Sequence, residues 1–335
     1  MREARRSQWP LPLASRATKQ TARKAPSLWV AVKCGVCGVA LLGFVVRATT
    51  FVARLASIRI LPTTQSAENL IRGSLIMCLV LLAYKLSPDW PLLLAANRDE
   101  FYERSTTAAA FWEDHPEVLG GRDLQKHGTW LGITRNGRFA SVANYRQGVA
   151  QKKNAPSRGA LVSNYLLGKE NPMDYLQRLQ QHAAEYDGFN LIVGDIKEVY
   201  YYSNRGGKMQ KLAHGLYGLS NHLLDTPWPK VERGKKQLIR LFSAPQPPSV
   251  EALFAILADR FVPEDKELPN TGIGLERERQ LSPVFTASAE YGTRSSTLLF
   301  IHSDNRVELI ERSFKRAGVE GGTVAHEFLI DSTPL

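Results

Sequence analysis

The sequence predicts an α+β fold, with antiparallel sheets covered by helices, over residues 77–335 of the 335-residue chain. Strand-like segments come first, helical segments follow, and strand-like segments return near the C-terminus. This order argues against a doubly wound parallel sheet. The Asn136-Gly137 pair between two apolar runs indicates an antiparallel hairpin. Residues 1–76 differ in character and are interpreted as a basic leader outside the domain.

The domain is predicted to open with an antiparallel hairpin. Cys78–Tyr84 and Leu92–Ala96 are apolar runs of strand length, and Ser87-Pro88-Asp89 between them is a turn. Both runs are apolar on both faces, which predicts a central, covered position. The four polar residues 97–100 follow directly. They are interpreted as a charged cluster at the end of the second strand, brought close to Cys78 by the hairpin.

The other elements are predicted from periodicity and turn residues. Residues 129–134 and 138–145 flank the Asn-Gly pair, which tolerates the backbone angles of a type I′ turn. The predicted helices are 159–167, 171–186, 229–242 and 250–261, and the remaining predicted strands are 189–193, 199–202, 296–302, 306–313 and 323–329. The polar stretch 263–274 predicts a surface loop.

The net charge of +11 is carried almost entirely by the leader. Residues 1–76 contain twelve Lys and Arg residues and two acids, whereas the remaining 31 basic and 30 acidic residues nearly cancel. A nearly neutral domain argues against a nucleic-acid partner. The domain has one cysteine, so it has no disulfide framework, which fits a reducing, cytoplasmic compartment. Cys34 and Cys37 have CxxC spacing, but they lie in an apolar run without a second pair, so no metal site is predicted.

The leader allows three interpretations. Leu28–Val46 is apolar over 19 residues except for Lys33, so it could be a membrane anchor with basic flanks, and the protein would then be membrane-anchored through residues 28–46. It could equally be an Arg-rich targeting segment. The favoured interpretation is a start assigned too early, with translation beginning at Met77, because the predicted domain needs no part of the leader. A membrane partner is expected only if the mature protein retains residues 28–46.

A catalytic function would depend on Met77-Cys78. If Cys78 is the first residue of the mature protein, its thiol and its α-amino group form a nucleophile and a base within one residue. An α-amine has a reference pKa of about 7.7–8.0, which suits it to take the thiol proton. The alternative is that Cys78 is simply a small apolar residue in a buried strand.

Nine short strings occur in one order along the predicted domain. They are Met77-Cys78, 95–101 (AANRDEF), 128–133 (GTWLGI), 144–146 (NYR), 157–159 (SRG), 188–191 (GFNL), 217–221 (YGLSN), 226–228 (TPW) and 291–295 (YGTRS). Together they resemble the NRDE protein family, also called the transport and Golgi organisation family. The resemblance covers none of residues 1–76. It implies the four-layer α/β/β/α fold of the N-terminal-nucleophile (Ntn) hydrolases and, more distantly, a likeness to cysteine members that cleave conjugated bile salts and penicillin-like amides.

The resemblance to those cysteine hydrolases also implies six site residues. They are Cys78 as nucleophile, Arg98, Asp99, Asn144 and Asn221 on the oxyanion side, and Arg294. One feature departs from the hydrolase pattern, in which the aspartate lies three residues after the arginine, because here the two are adjacent. Adjacent residues of a strand face opposite sides, which argues against both Arg98 and Asp99 reaching Cys78.

Two functions remain open from the sequence. The first is a cysteine amidohydrolase that cleaves a small acyl-amide. The second is a non-catalytic ligand-binding or trafficking protein, because the resemblance implies family links to Golgi organisation, lipid metabolism and haem movement. The expected partner is therefore a small amide or a lipid-like ligand, without a cofactor unless haem is a transported ligand. His115, His127, His214 and His222 could serve haem, but none lies in a recognisable haem motif.

We predict that the native protein begins at Cys78, because methionine is readily trimmed before small residues. Intact mass of the native protein measures this directly. A mass that includes residues 1–76 would contradict the prediction and would make a membrane role for residues 28–46 the leading interpretation.

Overall fold

Two antiparallel sheets form the middle of the fold. The computed structural model describes residues 78–147 and 152–331. The strands are β1 Cys78–Tyr84, β2 Leu92–Phe101, β3 Thr106–Phe111, β4 Val118–Asp123, β5 Leu131–Thr134, β6 Phe139–Asn144, β7 Phe189–Gly194, β8 Val199–Ser203, β9 Met209–Lys211, β10 Gly215–Leu219, β11 Tyr291–Ile301, β12 Arg306–Phe314 and β13 Glu320–Leu329. Sheet A has the order β10-β1-β2-β11-β12-β13, and sheet B runs from β3 to β9 in sequence order.

Helices cover the outer face of each sheet. They are α1 Gly159–Leu167, α2 Pro172–Gln180, α3 Pro229–Phe242, α4 Val250–Leu257 and α5 Leu275–Gln280. Side chains of α1 and α2 share one apolar cluster with the outer face of sheet B. Side chains of α3 and α4 share another with the outer face of sheet A. A third cluster lies between the two sheets. The predicted α+β fold with layer order α/β/β/α is confirmed.

The opening hairpin occupies the centre of sheet A, as predicted. β1 lies between β10 and β2, and Cys78 is directly opposite Arg98 across the β1–β2 pair. Leu79 packs toward the helices, whereas Val80 packs toward sheet B. Burial on both faces explains why these runs lack the polar alternation of a half-exposed strand.

The predicted end of the second strand is wrong. β2 continues through residues 97–100 to Phe101 instead of ending at Ala96. Each of the four polar residues has a partner on β11, from Asn97 opposite Ser296 to Glu100 opposite Gly292. All four are buried. The polar cluster is therefore part of the sheet, which gives each side chain a fixed direction.

Several other predictions can be compared with the structure. The bounds of α1 and α3 are those predicted, whereas α4 ends at Leu257, before the predicted residue 261. Residues 263–274 form a loop with one short 3₁₀ turn. The Asn136-Gly137 turn is not type I′, because only Gly137 has a positive φ, of 81°. Its amide donates to the Thr134 carbonyl, as in a type I turn followed by a left-handed glycine.

Among the residues that the structure describes, no helix has both the length and the apolar character needed to span a membrane. Both Leu28–Val46 and Met77 lie outside the described residues.

Asn97 ties the centre of sheet A to its helix layer. Its side-chain amide donates to the carbonyls of Leu257 and Val284 at 2.8 and 2.9 Å, and its side-chain oxygen accepts from Ser296 at 2.6 Å. The side chain is 1% exposed. This asparagine satisfies two buried backbone carbonyls that would otherwise lack a donor.

We predict that Asn97→Ala lowers the free energy of unfolding by about 3 kcal/mol or more, because each buried group left unpaired costs about 1–3 kcal/mol. Urea unfolding measures this. Asn171→Ala is the control: Asn171 caps α2 at the surface, and such caps contribute about 1 kcal/mol. Equal losses in the two variants would contradict the role given to Asn97.

Candidate active site

A polar cleft of about 330 Å³ opens beside the first residue of β1. Three of the six predicted site residues line it: Cys78, Arg98 and Asn144. Its wall also includes Glu100, Arg104, Asp123, Lys126, Trp130, Arg158 and Asp187. Asp99, Asn221 and Arg294 do not line this cleft. The structure thus brings together the thiol, one guanidinium and one carboxamide from three distant parts of the chain.

Cys78 is held in a buried position. Its residue is 7% exposed, and its carbonyl accepts a hydrogen bond from the Ser220 hydroxyl at 3.0 Å. Burial and the nearby charge of Asp99 raise the pKa of the Cys78 thiol to about 12, although the Arg98 guanidinium and the Asp99 backbone amide act in the opposite direction. In this environment the thiol is protonated at neutral pH.

Arg98 lies on the same face of sheet A as Cys78. Its guanidinium stacks over the Trp130 ring, 4.3 Å from the ring centroid, and one nitrogen lies 3.8 Å from a Glu100 oxygen. Another nitrogen, Nη1, is buried and has no hydrogen-bond partner among the described residues. Trp130 therefore forms part of the wall of the cleft.

Close packing places Trp130 at the cleft. A Cβ added to Gly128 would lie 2.5 Å from the Gly159 carbonyl carbon, so only glycine allows this approach to the start of α1. The neighbouring Thr129 amide donates to the Gly159 carbonyl at 3.3 Å. This contact gives a physical reason for the 128–133 string noted in the sequence.

Asp99 points away from the cleft, toward the helix layer. Its Oδ1 accepts from the Thr293 hydroxyl at 2.7 Å. Burial raises the pKa of Asp99 to about 6, against the opposing effects of Lys230 and Thr293. Lys230, in α3, is itself buried, and burial lowers the pKa of its ammonium to about 8. The opposite orientation of Arg98 and Asp99 follows from their adjacency in β2.

The two predicted asparagines connect the sheets. The Asn221 side chain is fully buried, and its amide donates to the Asn144 backbone carbonyl at 3.0 Å. The Arg146 amide donates to the Asn221 carbonyl at 2.7 Å. The end of β6, in sheet B, is thereby fixed next to the segment that follows β10, in sheet A. Asn144 lines the cleft, and Asn221 lies behind it.

Arg294 occupies a β-bulge. Thr293 pairs with Asp99 and Ser295 with Arg98, so Arg294 is an extra residue in β11. Its Nη1 donates to the carbonyls of Phe101 and Arg104, both at 2.9 Å. Arg294 and Arg98 both line a second, smaller cavity. The catalytic role assigned to Arg294 stays a prediction, as do the roles of the other five residues.

Sequence reasoning missed two further guanidinium groups in the cleft, those of Arg104 and Arg158. The Nη1 atom of Arg158 donates to the Gly188 carbonyl at 3.2 Å. Burial lowers the pKa of Arg158, while Asp187, Glu100 and the Cys78 thiol act to raise it. Arg158 was visible only as part of the 157–159 string, and nothing in the sequence placed that string opposite Cys78.

Ion pairs link three of the other charged residues of the cleft. Arg104 bonds Asp123 at 2.5 Å and lies 3.3 Å from Glu100. Over the described residues, no group of three or more His, Cys, Asp or Glu side chains is arranged to hold a metal ion. Among the described residues, no histidine or methionine lines the cleft.

The α/β/β/α layer order, with a buried cysteine at the start of the first hairpin, is the fold that the resemblance to Ntn hydrolases implied. The chain belongs to the Transport and Golgi organisation 2 family, whose model matches residues 77–316. It is 35% identical over 277 residues to the bovine Transport and Golgi organization protein 2 homolog, a match that spans 76% of this chain and 100% of the bovine protein. It is 34% identical over 257 residues to the human homolog, spanning 71% of this chain and 93% of the human protein.

A mutant conjugated bile acid hydrolase of Clostridium perfringens is similar in structure, with a TM-score of 0.44 and 9% identity. The match covers 75% of this chain and 92% of that chain. A likeness at this level carries no conclusion about activity.

We predict opposite effects on thiol reactivity for Asp99 and Arg98, the two charges that most change the pKa of Cys78. In a form that retains Met77, Asp99→Asn removes a charge that raises the thiol pKa, so iodoacetamide labelling becomes faster. Arg98→Met removes a charge that lowers it, so labelling becomes slower. We expect changes of roughly three- to tenfold, since one pKa unit alters the thiolate fraction tenfold below the pKa.

Labelling of Cys78 is followed by peptide mass spectrometry, which separates it from Cys34 and Cys37 where those are present. Rates that shift in the same direction in both variants would show that packing, and not charge, controls the thiol.

Proposed function

We propose that the domain is a cysteine amidohydrolase acting on a small acyl-amide, with Cys78 as nucleophile and the Cys78 α-amine as base. The observation that carries the proposal is the position of Cys78, which begins strand β1 and lines a polar cleft together with Arg98 and Asn144. A buried cysteine with a purely structural role has no need of a cleft.

The proposed reaction has two steps. The α-amine takes the thiol proton, and the thiolate sulfur attacks the amide carbonyl carbon. The carbon–nitrogen bond then breaks, the leaving amine takes a proton from the α-ammonium, and an acyl-cysteine remains. Water hydrolyses the thioester to a carboxylic acid and restores the thiol. Side-chain donors such as Asn144 would stabilise the oxyanion, and each such donor lowers a barrier by roughly 3 kcal/mol.

The proposal requires that the peptide bond before Cys78 be absent. In a chain that continues before Cys78, the residue has an amide nitrogen, which is not a base at neutral pH. Burial then keeps the thiol protonated, with a pKa of about 12. Exposure of the α-amine would supply the missing base at the place where the proton must be removed.

The raised pKa of the Cys78 thiol favours a second function, which is non-catalytic ligand binding. A protonated, buried thiol is suited to forming a wall of a binding site and not to attacking a carbonyl. The charged lining of the cleft, which includes Arg158, Lys126 and Glu100, supports a polar ligand or polar headgroup over a long apolar chain. Haem or lipid handling, with a role in secretion or Golgi organisation, belongs to this second proposal.

We predict that a form beginning at Cys78 releases free amine from some members of a panel of N-acyl amines, whereas the same form with one residue before Cys78 does not. The added residue removes the base without changing the thiol. Fluorometric amine detection measures turnover, and intact mass detects the acyl-cysteine.

Cys78→Ser and Cys78→Ala, both beginning at residue 78, are the controls, and both should show no amine release. Equal turnover by the free, the blocked and the Ala forms would exclude Cys78 as nucleophile. Ligand binding that is unchanged by the added residue, without turnover of any amide by the free form, would instead support the carrier function.

A further inference from the structure

A second, smaller cavity lies directly behind the wall of the cleft. Its volume is about 80 Å³, and its lining includes Arg98, Trp130, Arg294, Ser295 and Glu311. Arg98 and Trp130 line both cavities, so their stacked side chains form the partition between them. The proposed hydrolysis makes no use of this cavity.

Two unpartnered guanidinium nitrogens belong to residues that line the small cavity. Arg98 Nη1 and Arg294 Nε are buried atoms without a hydrogen-bond partner among the described residues. Arg98 is only 6% exposed. Buried polar groups in native proteins are almost always hydrogen-bonded. Two guanidinium ions with unpaired donors at one cavity indicate a site for an acceptor with negative charge.

The charge around the cavity is predominantly positive. Arg98 and Arg294 contribute two guanidinium groups. The one carboxylate in the lining, Glu311, already has both oxygens engaged, because they accept from the Ala109 amide at 2.8 Å and the Thr297 hydroxyl at 2.9 Å. Burial raises the pKa of Glu311, although hydrogen bonds from the Ala109 amide and from the Thr297 and Ser295 hydroxyls act to lower it.

The size of the cavity limits the ligand. A single water needs a cavity volume of roughly 10–15 Å³. The cavity volume of about 80 Å³ therefore accommodates a group of a few heavy atoms. We propose that the cavity behind Arg98 and Trp130 binds a small monovalent oxyanion, of the size of formate or bicarbonate, held by Arg98 and Arg294. The site is independent of whether Cys78 is catalytic.

The test compares sodium formate with sodium chloride at equal concentration and ionic strength. A ligand that binds the folded state alone raises stability with its concentration. We expect formate to raise the urea midpoint of the native protein saturably and beyond chloride, and calorimetry to give one site with a dissociation constant in the millimolar range. In Ser295→Val, whose larger side chain fills part of the cavity, we expect binding at least tenfold weaker.

Ser163→Val is the matched control, because Ser163 is a buried serine in α1 outside both cavities, and it should bind formate as the native protein does. Ser313→Val fills the same cavity from β12 and replaces Ser295→Val if that variant does not fold. A formate effect equal to that of chloride, or one that persists in both cavity variants, would overturn the proposal. A formate effect lost in Arg158→Met but kept in Ser295→Val would place the anion in the cleft and would also overturn it.

Discussion

The antiparallel pairing of β1 with β2 is the interaction on which the rest of the site depends. It sets Cys78 opposite Arg98 and, by the alternation of a strand, sends Asn97 and Asp99 to the helix layer. One tetrapeptide thus serves two layers of the fold. Arg98 belongs to the cleft and to the cavity behind it, while Asn97 holds the sheet to α4 and Asp99 faces Lys230 and Thr293.

Burying so many polar groups in one strand requires a partner for each. Asn97 has three hydrogen bonds, and Glu100 accepts from the Phe101 amide and lies near Arg104. Two atoms are exceptions, because Arg98 Nη1 and Asp99 Oδ2 have no hydrogen-bond partner among the described residues. An unmatched buried donor beside a cavity is typical of sites that bind a ligand, because the ligand supplies the missing acceptor.

Much of the fold could be predicted from the sequence, and the physical reason differs from one element to another. β1 and α3 were predicted at their observed bounds, since a continuous apolar run and a strong 3.6-residue period mark them. The strands β3, β4, β9 and β10 and the short helix α5 were missed. β3 has the sequence TTAAAF, whose small residues give no apolar alternation, and β9 has only three residues. Their pairing is decided by neighbouring strands and not by local preference.

The site was predictable only in part. Family strings identified Cys78, Arg98 and Asn144, which share the cleft, but no pattern in the chain showed that Arg158 would join them. Strand alternation correctly separated Asp99 from Arg98. Nothing in the sequence indicated that Lys230 is buried near Asp99, because a lysine at the second position of a basic helix is normally solvent-exposed.

The bulge at Arg294 has a consequence for comparing sequences across the family. Thr293 pairs with Asp99 and Ser295 with Arg98, so residue 294 is inserted into a ladder that is continuous on both sides. A relative with a one-residue gap at this position would keep every strand pair and every side-chain direction in β11. It would lose only the guanidinium. Presence or absence of that single residue therefore separates members with two guanidinium groups at the second cavity from members with one, and the strand pairing is the same in both.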